Sequence, residues 1–168
     1  MNLNHQTEER NREMDKAQLL KDIDAEFARH IAELRKSVQT SQEMTRDAPG
    51  RIESRYDTSR EETGWLATGQ AALLQEWEHN YAMFKALGAG RKDFVQTGAF
   101  FAAESLAGTA KIKCFVCYGG SGLECKTVEG MVTLISPTSP LAEAALGRSA
   151  NDTFIVNGRV DYIIKEVA

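Results

Sequence analysis

Residues 52–87 read IESRYDTSREETGWLATGQAALLQEWEHNYAMFKAL. This segment follows a repeat of alternating four- and three-residue steps, which predicts a helix with a coiled-coil seam. The seam is polar toward Tyr56 and strongly apolar toward Leu87, where Leu74 and Tyr81 widen it. The predicted seam positions are Ile52, Tyr56, Ser59, Thr63, Leu66, Gln70, Leu73, Trp77, Asn80, Phe84 and Leu87.

A second amphipathic helix precedes this one and begins near Asp15. Its apolar residues recur every three or four positions, at Leu20, Ile23, Phe27, Ile31, Leu34 and Val38. Asp47-Ala48-Pro49-Gly50 separates the two helices, and proline followed by glycine ends a helix and permits a tight reversal. The sequence therefore predicts an antiparallel coiled-coil hairpin over residues 15–88, with its tip at 47–53 and helices of roughly 45–50 Å.

The remainder of the chain has fewer charges and more glycine. Leu87-Gly88-Ala89-Gly90 ends the helical part, and residues 89–94 are expected to be a linker. Residues 95–168 then predict a small unit of four or five strands around one short helix, Leu141 to Leu146, which Gly147 is expected to end. The strand signals are the alternation from Lys111 to Tyr118, the β-formers of 131–135, and the segments 153–156 and 159–167 around Asn157-Gly158. The predicted fold class is α+β.

Length and charge exclude several classes of protein. The 168 residues carry a net charge of −4, and no apolar run is long enough to span a membrane. The first 14 residues are polar, unlike a secretory signal, so we expect a disordered tail and a cytoplasmic protein. A mildly acidic chain without a basic run is not typical of a direct nucleic-acid binder.

The three cysteines raise the question of a metal site. Cys114-x-x-Cys117 has the spacing of half a zinc site, and Cys125 could add a third ligand. Residues three apart in a strand point to opposite faces, however, so the pair cannot chelate one ion. We therefore predict buried thiols and no metal site. The chain also lacks the common nucleotide-binding and hydrolase motifs.

The hairpin tip is rich in charge, with six acids and four arginines between Glu43 and Glu62. A solvated helix end has the same composition, and that interpretation stays open. The alternative is that a narrow rod carries carboxylates into a partner's active site and helps to hold a metal there.

The segment Ile135-Ser136-Pro137-Thr138-Ser139-Pro140-Leu141, continued by AEAALGR to Arg148, resembles the C-terminal signature of the Gre family of bacterial transcript-cleavage factors. Ala145 stands where that signature commonly has leucine. Tyr56 with Arg60-Glu61-Glu62 resembles the start of the family's second helix, and the final hairpin around Asn157-Gly158 is also similar. The order of parts, a coiled-coil hairpin and then a small domain, agrees as well.

The resemblance implies an FKBP-like C-terminal domain that docks on RNA polymerase while the hairpin enters the secondary channel. Its docking loop corresponds here to Ser136, Pro137, Thr138, Ser139, Pro140 and Leu141. Capping of the following helix by Ser139 and Pro140 is an equally good account of that sequence, and both can hold. The nucleic acid would be contacted only indirectly, through the elongation complex, and we expect a monomer.

The tip departs from the family. Members that promote cleavage carry an Asp and a Glu three apart, which help to bind Mg²⁺ in the polymerase active site; those positions fall here on Pro49 and Ile52. The tip candidates that remain are Asp47, Glu53 and Asp57. We therefore expect no enzymatic activity of its own and no cofactor beyond Mg²⁺ shared with the polymerase. Modulation of elongation by occupying the channel is favoured over transcript cleavage.

Two other classes compete with this interpretation. A coiled-coil adaptor with no role at the polymerase would dimerise through an exposed stripe of the hairpin. A prolyl isomerase of the FKBP type would need a deep pocket lined by aromatics with a tryptophan floor, whereas Trp65 and Trp77 both lie in the helical part.

Overall fold

The computed structural model describes residues 15–47, 58–120 and 122–168. Two long helices, α1 (Lys16–Asp47) and α2 (Thr58–Lys85), precede four strands: β1 (Phe100–Ser105), β2 (Lys111–Val116), β3 (Glu124–Thr127) and β4 (Gly130–Ile135). A short helix, α3 (Pro140–Ala145), and the strands β5 (Thr153–Val156) and β6 (Val160–Val167) follow. This confirms the predicted α+β fold. Within these residues no helix has the combination of length and apolarity that crossing a membrane requires.

The helices α1 and α2 pack antiparallel, and together they are called the helix pair below. Phe27 stacks on Phe84, Arg35 donates to Glu78 Oε1 at 2.9 Å, and Ser41 donates to Gln70 at 2.7 Å. Residues further along α1 thus contact residues earlier in α2, as expected for antiparallel helices. The buried stripe of α1 is Leu19, Ile23, Phe27, Ile31 and Val38, with Leu20 and Leu34 at its margin.

The seam predicted for α2 is only half right. Leu66 and Leu73 are 58% and 42% exposed, so they do not face α1. Their neighbours Ala67 and Leu74 are half-buried instead, as is Tyr81. Gln70, Trp77, Phe84 and Leu87 are confirmed as seam positions, whereas Leu66 and Leu73 are each displaced by one residue. Ile52 and Tyr56 lie outside the described residues. The physical reason for the displacement is aromatic packing. Phe27 contacts Trp77, Tyr81 and Phe84 together, and these contacts set the rotation of α2 about its own axis.

The strands form one mixed sheet in the order β3-β4-β2-β1-β6-β5. All neighbours are antiparallel except β2 and β4, which run parallel with Cys114 opposite Thr133. The prediction of four or five strands is too low, because six are described. It missed β1 and β3: the first is buried on both faces and so shows no alternation, and the second has only four residues.

Each face of the sheet carries its own core. On one face Phe100, Phe115, Cys117 and Leu134 pack against the base of the helix pair. On the other, Phe101, Val116, Phe154 and Ile164 pack against α3. The alternation predicted for β2 is confirmed, because consecutive residues of that strand enter opposite cores.

Two turn predictions are confirmed by backbone angles. Asn157 and Gly158 have φ of 53° and 64°, the left-handed pair that a two-residue hairpin turn requires between β5 and β6. Gly147 has φ of 76° just after α3, where the helix stops.

Candidate functional site

The segment Ser136–Leu141 leaves the end of β4 as a closed turn. The Ser136 and Thr138 hydroxyl oxygens are 2.8 Å apart, and Ser136 Oγ accepts the Thr138 amide at 3.2 Å. The Ser139 amide donates to the Ser136 carbonyl at 3.0 Å. Local hydrogen bonds of hydroxyl and backbone groups therefore hold the turn.

Ser139 is the N-cap of α3, as the sequence predicted. Its φ and ψ are −73° and 146°, and its Oγ accepts the Ala142 amide at 3.2 Å. Pro140 occupies the first turn, where no amide donor is needed. The capping interpretation of this segment is thus correct, and Thr138 and Pro140 are exposed at the surface.

Tyr118 adds an aromatic side chain that the sequence analysis did not assign to this surface. β2 and β4 are parallel, so their carboxyl ends meet at one edge of the sheet, and the Cys117 amide donates to the Ile135 carbonyl at 3.0 Å. Tyr118, which is 46% exposed, follows Cys117 at this same edge of the sheet. The signal in the sequence was a large aromatic just beyond a strand and before two glycines. We call Tyr118 and Ser136–Leu141 the edge surface.

The same edge of the sheet also meets the helix pair. Gly119 has φ of 74°, and a Cβ placed there would lie 2.1 Å from Asn80 Cβ. Gly120 has φ of 63°, and its added Cβ would lie 2.8 Å from Phe27 Cζ. Only glycine allows α1 and α2 to approach this turn so closely. The edge surface and the base of the helix pair are therefore parts of one packed body.

An aromatic cluster fixes the base of the helix pair on the sheet. Phe27 is fully buried, with ring centroids 5.8 Å from Trp77, 5.6 Å from Tyr81 and 5.1 Å from Phe84. Phe84 in turn meets Phe115 of β2 edge-on at 6.1 Å. Such pairs add to the stability already given by area burial.

Polar contacts hold α1 at two further points. Asp22 Oδ2 accepts the Val128 amide from the β3–β4 turn at 2.9 Å. Lys16 Nζ, on a residue only 6% exposed, donates to the Gly90 carbonyl at 2.7 Å. Burial, with a smaller contribution from Lys92, lowers the pKa of Lys16 to about 8. The start of α1 is thus tied both to the sheet and to the connection after α2.

A cavity of about 310 Å³ opens on the α3 side of the sheet. It is lined by Ile112, Leu141, Val156, Asn157, Arg159 and Tyr162. Tyr162 is the one aromatic among these lining residues, and neither tryptophan contributes. This lining does not resemble the aromatic pocket that a prolyl isomerase of the FKBP type would need.

The cysteines behave as predicted for buried thiols. Cys114 belongs to the core under α3, whereas Cys117 and Cys125 belong to the core under the helix pair. Burial raises the pKa of each thiol to about 12. Over the described ranges, no group of three or more His, Cys, Asp or Glu side chains is placed to hold a metal ion.

Two of the three tip candidates lie outside the residues that the structure describes. Asp47 is the last residue of α1, while Glu53 and Asp57, like the predicted tail 1–14, lie outside the described residues. Pro49 and Ile52 also lie outside them. The prediction of an altered tip therefore stays a prediction from sequence.

Comparison with known proteins gives few matches. No protein-family model and no curated protein matches the chain. Among solved structures it is similar to GreA factor homolog 1 (Gfh1) of Thermus thermophilus, with 14% identity over 86% of this chain and 94% of that one and a TM-score of 0.36. It is also similar to Thermus aquaticus Gfh1, with 16% identity over 84% of this chain and 90% of that one and a TM-score of 0.37. Superpositions this loose carry no argument about function, which must come from the chain's own residues.

Proposed function

We propose that this protein is a Gre-like transcription factor that binds bacterial RNA polymerase through the edge surface and places the helix pair in the secondary channel. The observation that carries the proposal is the shared sheet edge. A docking turn and the base of a long rod are packed there into one body, so docking at the edge surface sets the direction of the rod.

The local geometry supports a docking role for the segment that resembles the Gre signature. Thr138 and Pro140 are exposed on a turn that local hydrogen bonds hold, and Tyr118 is exposed at the same edge of the sheet. A pre-formed turn loses little conformational entropy on binding, and an aromatic with a polar tip is a common anchor at interfaces.

The dimensions of the helix pair support insertion into a channel. α1 has 32 residues, which corresponds to about 48 Å at 1.5 Å per residue. Its apolar stripe is strong at the base and gives way to Ser41 hydrogen-bonded to Gln70 further along. Two helices side by side form a narrow rod, which suits insertion into a channel.

The sequence of the tip favours occupation of the channel over transcript cleavage. Pro49 and Ile52 stand where cleavage-competent members have acids, and neither side chain can bind a metal. Any Mg²⁺ involved would be that of the polymerase, and the chain itself is not an enzyme. Its effect is then to modulate elongation, and its site of action is the cytoplasm, where the polymerase works.

Binding to core polymerase tests the docking step. Pro140→Glu places a charge on the edge surface at a helix position that tolerates Glu, so folding should be preserved. We expect it to weaken binding at least tenfold in a competition pull-down. Leu106→Glu is the matched control, because Leu106 is 59% exposed in the turn after β1, at the opposite edge of the sheet. Equal binding by the two variants would refute docking through the edge surface.

A transcript-cleavage assay on backtracked elongation complexes tests the role of the tip. We expect the protein to compete with a cleavage factor without stimulating cleavage itself. Cleavage that disappears in Asp47→Ala or Glu53→Ala would show that the tip has rebuilt a metal site at a new spacing. Failure to bind the polymerase at all would leave the adaptor interpretation.

A further inference from the structure

The cavity on the α3 side of the sheet has apolar walls and is open to the surface. Ile112, Leu141, Val156 and Tyr162 line it, and each of these side chains is only half-buried. The fold thus leaves about 310 Å³ of largely apolar space uncovered. Cavities of this size, apolar and with a few polar groups at fixed positions, are the usual binding sites for small molecules.

Tyr162 forms a wall of this cavity that the core holds in place. Its ring stacks on Phe154, with centroids 5.4 Å apart and an angle of 18° between the planes. Phe154 is 1% exposed and meets Phe101 edge-on at 6.3 Å. Buried packing therefore sets the position of the wall, so little conformational entropy is lost when a ligand contacts it.

The polar groups of the lining come from the turn between β5 and β6 and from the Tyr162 hydroxyl. Asn157 has φ of 53°, and the Arg159 amide donates to the Val156 carbonyl at 3.1 Å, so the backbone of this turn is well defined. The side chains of Asn157 and Arg159 are both exposed. Among the residues that the structure describes, neither of these two side chains has a hydrogen-bond or ion-pair partner. Their donors are thus available to a bound molecule.

Arg159 is the one charged residue in the lining. Lys111 and Asp161 each precede a lining residue by one position, and side chains alternate along a strand, so both point to the opposite face of the sheet. The Lys111 ammonium also pairs with the Glu104 carboxylate at 3.8 Å. The lining therefore combines apolar walls with a single positive charge.

We propose that this cavity binds a small apolar molecule that carries one carboxylate. The apolar part lies against the half-buried walls, and the carboxylate accepts hydrogen bonds from the Arg159 guanidinium, whose planar geometry matches its own. The Tyr162 hydroxyl and the Asn157 amide are further donors in the same lining. A carboxylate also fits the charge of the site, because a phosphate group carries about −1.5 to −2 at pH 7 and the lining supplies one cation.

The volume of the cavity limits the size of the ligand. An apolar cavity of about 150 Å³ holds one benzene molecule, and this cavity of about 310 Å³ is roughly twice as large. Two fused aromatic rings, or an alkyl chain of about ten carbons, would therefore fill it. The compound 2-naphthoate has two fused rings and one carboxylate, and 2-naphthamide is a neutral counterpart of the same shape. Together they separate the apolar part of binding from the charged part.

Isothermal titration calorimetry of the full chain with both compounds is the primary test. We expect 2-naphthoate to bind at one site with a dissociation constant of about 0.01–1 mM, and 2-naphthamide to bind at least tenfold more weakly. Equal affinity for the two compounds would overturn the assignment of a carboxylate. No binding of 2-naphthoate up to about 5 mM would overturn the site itself.

A peptide that ends in phenylalanine with a free carboxylate shares the chemistry of 2-naphthoate. If such a peptide binds more tightly than 2-naphthoate, the occupant is the terminus of a protein and the small-molecule proposal is wrong. We expect the reverse order of affinities, because the lining described above encloses a single apolar group of limited volume.

Arg159→Gln removes the guanidinium at an exposed position in a turn, so folding should be preserved. We expect this variant to bind 2-naphthoate at least tenfold more weakly and 2-naphthamide as the wild type does. Lys126→Gln is the matched control, because it removes one positive charge from an exposed residue of β3, at the far edge of the sheet from β5. Equal 2-naphthoate affinities of the two variants would refute the proposed site.

Val156→Phe tests the location, because the larger side chain takes up part of the cavity and should weaken the binding of both compounds at least tenfold. Amide chemical shifts of the wild type, measured by NMR during titration with 2-naphthoate, give the location without any substitution. We expect the largest changes at Leu141 and in residues 156–162. Changes centred on the exposed Trp65 of α2 would show adventitious binding to another apolar surface and would overturn the proposal.

The inference does not rest on the proposed function, since no measurement in it involves polymerase. Polymerase binding by Pro140→Glu and 2-naphthoate binding by Arg159→Gln are separate readouts. The failure of either proposal is therefore distinguishable from the failure of the other.

Discussion

The close approach of Gly119 to α2 makes a quantitative prediction. In Gly119→Ala the new Cβ would lie 2.1 Å from Asn80 Cβ, an atom that cannot swing away because it is fixed to the helix backbone. The turn at the edge surface and the helix pair would have to separate. Alanine would also be held at φ of 74°.

The magnitude follows from two contributions. A left-handed conformation costs a non-glycine residue about 1–2 kcal/mol, and overpacking a close contact costs about 1–3 kcal/mol more. Gly108 is the matched control, because its φ is 70° and nothing lies within 4 Å of its added Cβ. We expect Gly119→Ala to lower the free energy of unfolding by about 2–5 kcal/mol and Gly108→Ala by about 1–2 kcal/mol.

Urea unfolding followed by circular dichroism measures both variants. Adding Asn80→Gly to Gly119→Ala should recover part of the loss, although glycine in the helix itself costs about 1 kcal/mol. A positive coupling between the two substitutions in the double-mutant cycle would locate the strain at this contact. If Gly119→Ala and Gly108→Ala agree within about 0.5 kcal/mol, the packed-edge argument is wrong.

Three further outcomes are expected. Phe27→Ala should lower the free energy of unfolding by about 3–5 kcal/mol in the same urea assay, because it removes the centre of the aromatic cluster. Lys16 has a folded pKa of about 8, below its usual 10.5, so the unfolded chain binds more protons between these values. The contribution of Lys16 to the free energy of unfolding should therefore rise from pH 8 to 10.5. The difference in unfolding free energy between the wild type and Lys16→Met, measured as a function of pH, should show that rise. The three thiols should react slowly with a thiol reagent at pH 8 and rapidly in urea, since burial raises each pKa to about 12; fast reaction of the folded protein would contradict their placement.

The sequence alone predicted the features that depend on local backbone preferences. The cap at Ser139, the stop at Gly147 and the turn at Asn157-Gly158 depend on backbone preferences that a few residues express completely. The opposite orientations of Cys114 and Cys117 follow in the same way from strand periodicity alone.

Tertiary contacts decided the features that the sequence analysis missed. Leu73 and Leu74 are both leucine, so the seam of α2 fits two registers one residue apart, and Phe27 selects between them from another helix. β1 lacks alternation because both its faces are buried, which only the assembled sheet explains. Tyr118 joins the edge surface only because β2 and β4 are parallel neighbours, although β3 lies between them in the chain.

The position of β6 has a consequence for how the chain folds as it is synthesised. β1 lies between β2 and β6, and Phe100 and Ala168 exchange backbone hydrogen bonds of 2.8 and 3.0 Å. The helix pair leaves the ribosome early and can fold on local contacts, but the sheet that covers Phe27 and Phe84 stays incomplete until residues 160–168 emerge. We expect ribosome-bound chains stalled before β6 to be protected from protease in α1 and α2 and cleaved throughout 95–156. Protection of residues 95–156 from protease before β6 emerges would contradict this order of folding. In this order, the apolar base of the helix pair stays accessible to chaperones during synthesis.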